Sequence, residues 1–67
     1  MTYYKLTDLE NEGVVVRANG RSQQKFTEEK GWIESGVMMM YFNTESPYYG
    51  SYSEISENEA MKLIENM

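Results

Sequence analysis

Neither a cysteine nor a histidine occurs in these 67 residues, and that double absence constrains the fold more than anything the chain contains. Disulfides and thiolate ligands are ruled out, and without imidazole the common nitrogen and sulfur ligands of a structural zinc are gone too. A chain this short supports one core, because two would each fall below the size at which burial offsets chain ordering. The expectation is a single small domain over residues 1–67. It must be held by close packing of six tyrosines, six methionines, Trp32 and a few aliphatic side chains, or by assembly with another chain.

Local patterns divide the chain into strands first and a helix last. Tyr3 to Thr7 alternates as a strand, with Tyr4 and Leu6 on one side and Tyr3 and Lys5 on the other. Gly13 to Ala18 and Arg21 to Phe26 flank Asn19-Gly20, which predicts a hairpin closed by a type I′ turn. Val14, Val16 and Ala18 then share one face, and Val15 and Arg17 the other. Thr27 to Gly31 reads as a short capped turn, with Thr27 accepting a backbone hydrogen bond. Trp32 and Ile33 follow as a brief strand or turn, Trp32 serving as a core anchor.

The apolar run Val37 to Asn43 is too short for an ordinary buried helix and carries β-favouring Val37, Tyr41 and Phe42, so it predicts a central strand. In that reading Met38, Met40 and Phe42 pack on the terminal helix, and Val37, Met39 and Tyr41 face the amino-terminal segment or a second copy in a homodimer. Residues 44–53, with Pro47 and Gly50, predict a loop. The final segment predicts a helix over residues 57–66. Ser56 and Glu59 have the spacing of a capping box, Ile55 and Ala60 that of a hydrophobic staple, and Ala60, Leu63, Ile64 and Met67 line one face. The fold class is therefore α+β, an antiparallel sheet of three or four strands with a C-terminal helix packed on one face.

Charge is uneven. Residues 1–33 hold five acidic and five basic side chains, whereas residues 34–67 hold six glutamates against Lys62 alone. Such a balance argues against direct nucleic-acid binding. No apolar run approaches the roughly 20 residues of a membrane span, and the start lacks a secretory pattern, so the expected setting is cytoplasmic with no membrane contact.

No residue pattern points to catalysis, and none calls for a metal or another cofactor. The carboxylate pairs Glu28/Glu29 and Glu57/Glu59 do not converge on a helix, the serines have no histidine base, and the five glycines are too dispersed for a phosphate cradle. The expectation is a protein-binding accessory rather than an enzyme. Tyr48, Tyr49 and Tyr52 are the candidate protein-binding residues, because tyrosines combine apolar area with a hydrogen-bonding tip; the competing role is to close the core. The alternatives are an acidic mimic of nucleic acid, built from Glu34, Glu45, Glu54, Glu57, Glu59 and Glu65, that blocks a basic protein surface, and a small structural homo-oligomer.

Gly31-Trp32, Ser46-Pro47-Tyr48-Tyr49 and Glu54-Ile55-Ser56-Glu57, followed by Glu59-Ala60, together resemble small uncharacterised proteins of Gram-positive bacteria and their phages or mobile elements. The resemblance covers residues 31–60. It implies a bacterial or phage accessory protein and carries no active residue with it.

Overall fold

The computed structural model describes residues 1–67. Strands β1 (Thr2–Leu6), β2 (Val15–Asn19), β3 (Ser22–Thr27) and β4 (Gly31–Glu34) form an antiparallel meander. Helix α1 (Met38–Phe42) follows, then β5 (Tyr52–Ile55), which pairs antiparallel with β1, and helix α2 (Glu57–Glu65). The sheet order is β4-β3-β2-β1-β5. The α+β class and the terminal helix stand; the sheet has five strands, not three or four, because Gly31–Glu34 is a full strand and the end of the expected loop becomes β5.

Two turns set the register of the meander. Val14 N–H donates to Asn11 C=O at 3.0 Å with Gly13 at φ +85° between them, the signature of a type II turn. Gly13 N–H also donates to Leu6 C=O, and Leu6 N–H to Val14 C=O, so Gly13 and Val14 together oppose Leu6 as a bulge whose first residue needs positive φ. The β2–β3 hairpin has Asn19 paired with Ser22, which leaves Gly20 and Arg21 as its central residues. Gly20 lies at φ +62° and no other residue type adopts positive φ. The turn is therefore one residue later than expected and of the II′ kind, which asks only its first central residue to be glycine. Thr27 Oγ1 accepts from Lys30 N–H at 3.1 Å, as its capping role requires.

Consecutive valines of the middle strand serve opposite faces. Val16 joins Leu6, Met38 and Tyr41 in one fully buried cluster, edged by Tyr4, Val14, Val37, Tyr48 and Tyr52. Val15 joins Tyr3 and Ala60 in the other, edged by Trp32, Ile55, Met61, Leu63 and Ile64. Each fully buried aliphatic side chain contributes about 1.5–3 kcal/mol before ordering costs. Helix α2 covers the second face as expected, and its capping box is complete: Ser56 Oγ accepts from Glu59 N–H at 3.1 Å and Glu59 Oε1 from Ser56 N–H at 3.4 Å. Met67 lies outside the stripe, exposed beyond the helix end.

The expected central strand at 37–43 is instead helix α1, and the middle strand of the sheet is β2. Methionine is a good helix former, and winding the segment places Met38 and Tyr41, three apart, side by side in the core. The run packs on the sheet rather than in it, on the face opposite α2. Met38, Met40 and Phe42 therefore do not form a row against α2, and Val37, Met39 and Tyr41 do not form a second row for a homodimer to cover. Tyr41 is fully buried, Val37 half-buried and Met39 exposed.

Candidate protein-binding surface

Winding α1 around Met38 and Tyr41 turns Met39 and Met40 outward and leaves Phe42, four residues after Met38, at the margin of the packed face. Met39 is 71% exposed, Met40 and Phe42 somewhat under half. Phe42 is nevertheless fixed. Its ring centroid lies 5.3 Å from Tyr52 and 5.8 Å from Tyr4, and those two lie 5.5 Å from each other, every pair near-perpendicular at 73° to 85°. Edge-to-face contacts of this kind add about 0.5–1.5 kcal/mol each beyond burial. The sheet sets the triangle up: Tyr4 and Leu6 of β1 point to the α1 face, opposite Glu54 and Tyr52 of β5.

Beneath this surface, α1 is tied to the loop after β1. The Tyr41 hydroxyl donates to Asp8 Oδ1, and Asn11 Nδ2 donates to both Asp8 Oδ2 and the Tyr41 oxygen at 3.1 Å. Burial, then the hydrogen bond to Asp8, pushes the Tyr41 phenol up to about 12. The same bond is the main reason the Asp8 carboxyl sits below the usual range, with Asn11 adding to it. Tyr48 repeats the device. Its hydroxyl donates to Glu10 Oε2 at 3.0 Å, which raises its phenol, and its ring lies 5.6 Å from that of Tyr41.

The three candidate tyrosines are thus divided. Tyr48 is half-buried against the core and bonded to Glu10, Tyr52 is a strand residue in the aromatic triangle, and Tyr49, 55% exposed, points its ring to solvent. The sequence reading put Met39 in a row for a second copy and did not name Met40, Phe42 or Tyr4 as binding residues. The signal for Met39 and Met40 was the helical spacing of Met38 and Tyr41, which leaves the two residues between them on the other side; Phe42, four after Met38, falls at the margin of the packed face.

The chain that builds this surface is acidic, although Arg21 and Glu34 line one hollow with Met39. No lysine or arginine occurs between Lys30 and Lys62. Glu54 stands beside Tyr4, whose phenol is raised by burial and then by that carboxylate. The six glutamates of the nucleic-acid-mimic reading are not one array: Glu34 and Glu54 lie on opposite edges of the sheet, and Glu59 closes the helix cap. No helix is long and apolar enough to cross a membrane. No known family matches this chain, and neither a curated protein nor a solved structure is significantly similar to it.

Proposed function

We propose that this chain is a non-catalytic accessory protein that binds another protein through α1, and that the partner offers an apolar cleft rimmed by lysine and arginine. The observation that carries this is Phe42, held by two perpendicular rings yet close to half exposed, with Met39 and Met40 beside it. A fixed aromatic loses little side-chain freedom on binding, and adaptable methionines fit around it. The acid-only stretch from Gly31 to Met61 supplies the charge complement, which acts on encounter rate and choice of partner. Tyr49 and Tyr52 extend the surface, Tyr52 by supporting Phe42. The setting in this reading is the cytoplasm, and an accessory role in a bacterium or phage accords with the resemblance over residues 31–60.

The test is photo-crosslinking from position 39 in cells, followed by calorimetry with the purified captured protein. Met39→Ser and Met40→Ser, at sites outside the core, keep the fold and weaken binding by roughly tenfold or more. Added salt slows association. Unchanged affinity in both variants would refute the surface.

A further inference from the structure

We propose that the chain forms a twofold dimer by antiparallel pairing of β4 with β4 of a second copy, joining two five-stranded sheets into one. The proposal rests on the free edge of the sheet at β4 and is independent of the α1 surface.

The phase of the ladder fixes which backbone groups that edge offers. Ser35 N–H donates to Gln23 C=O at 3.0 Å, and the β3–β4 register continues through Ile33 opposite Lys25 and Gly31 opposite Thr27. Hydrogen-bonded pairs alternate along an antiparallel ladder. Residues 31, 33 and 35 therefore bond inward to β3, and Trp32 and Glu34 direct their N–H and C=O groups away from the sheet. A twofold partner must match outward groups with outward groups. Placing Trp32 opposite the partner's Glu34 makes two such rungs and four main-chain hydrogen bonds. Either neighbouring register makes a single rung, and one of them sets Glu34 against the partner's Glu34.

The chosen register is self-complementary in its side chains. Ile33, half-buried, meets the partner's Ile33 on the axis, at a position where opposed side chains come closest. The partner's Glu34 arrives alongside Trp32, the residue carrying the Arg17 guanidinium 4.1 Å above its ring. Arg17 Nε donates to Gln24 Oε1 at 2.8 Å. Both of these Arg17 partners are neutral; Glu54 and Glu57 share a hollow with Arg17, but Glu57 accepts from the Tyr3 hydroxyl, so the incoming carboxylate adds a charge partner on the Trp32 side of the guanidinium. Within its own chain Glu34 accepts only long, exposed bonds of 3.4 Å from Ser22 and Gln24.

The opposite edge is a poor second choice. There Thr7 N–H donates to Ser51 C=O, so by the same alternation Tyr52 and Glu54 point outward. Equivalent pairing would put Ser53 on the axis amid Glu54 and Glu57, with Lys5 opposite Ser53 on the inner neighbour strand. That edge sets two carboxylates against Lys5, whereas β2 to β4 carry Arg17, Arg21, Lys25 and Lys30 against Glu28, Glu29 and Glu34.

The experiment is sedimentation equilibrium over a concentration series on three chemically synthesised chains: unmodified, N-methylated at the Glu34 amide, and N-methylated at the Glu54 amide. Each methyl removes an outward donor and leaves the inward ladder intact; circular dichroism confirms the fold. The expected result is a mass rising from 7.8 kDa to a plateau at about double. The Glu34 methyl should weaken dimerisation by roughly tenfold to a hundredfold, and the Glu54 methyl should leave it unchanged. Glu34→Pro gives the same answer in recombinant protein. A monomer at millimolar concentration, a mass climbing past the dimer, or sensitivity to the Glu54 rather than the Glu34 methyl would overturn the proposal.

Discussion

The two helices on the two faces of the sheet are held in opposite ways. Helix α2 has nine residues, a complete capping box and an amphipathic stripe, yet only Ala60 of that stripe is fully buried. Helix α1 has five residues and no side-chain cap, yet it sinks Met38 and Tyr41 completely and is bonded through Tyr41 to Asp8 and Asn11. A helix can thus be specified by its own sequence and sit shallowly, or be specified by what it touches and sit deeply. Stability and legibility need not coincide.

Substitutions should sort the two faces. Tyr41→Ala is expected to cost about 3–5 kcal/mol, the range for a buried aromatic, against a total stability on the order of 3–10 kcal/mol for a chain of this size. Urea denaturation should find the variant largely unfolded. Tyr41→Phe keeps the ring and removes the hydroxyl, for about 1–3 kcal/mol. Leu63→Ala and Ile64→Ala, half-buried on the α2 face, should cost less than Tyr41→Ala, about 2 kcal/mol. Ser56→Ala should cost about 1 kcal/mol by removing the cap. If the α2 variants proved the more damaging, the comparison would be inverted.

Acid probes the α1 side through Asp8, and alkali probes both faces, with Tyr41 on the α1 side and Tyr3 on the α2 side. A folded-state pKa raised above the unfolded value contributes stability below the latter and loses it as pH rises through the former. For Tyr41 that window runs from about 10 up to about 12. The raised phenols of Tyr3, Tyr4 and Tyr48 act in the same direction. Asp8 has the opposite sign: its lowered carboxyl stabilises the fold above about pH 4, and this is lost as pH falls through the folded value. Circular dichroism across both limits should show Tyr41→Phe losing less than the parent chain at each, because the Tyr41–Asp8 bond is already absent.

What the sequence disclosed follows the same division. The capping box at Ser56 and Glu59, the hairpin at Gly20 and the alternation of Val14, Val15 and Val16 are local patterns, readable without knowing what they pack on. The hairpin turn slid by one residue because a single glycine satisfies type II′ as well as it serves type I′. The run from Val37 to Phe42 was ambiguous, since apolar residues on every side fit a strand or a helix, and the partners of its buried residues lie far off in sequence, at Leu6, Asp8 and Val16. Strand β5 was hidden for a related reason: Tyr52 to Ile55 is extended because β1 needs a second neighbour. The candidate surface was half legible. Tyrosines near Pro47 could be noticed from composition, but which of them stays outside depends on Glu10, Tyr41 and Phe42.

The arrangement of the two helices on opposite faces is tested most directly by nuclear Overhauser contacts from the adjacent valines of β2. The structure puts Val16 in one buried cluster with Leu6, Met38 and Tyr41 and Val15 in the other with Tyr3 and Ala60, so Val16 methyls should show contacts to the first group and Val15 methyls to the second. Contacts from Met38 or Tyr41 to Leu63 or Ile64, with none from Tyr41 to Val16, would place both helical segments on one face and contradict it.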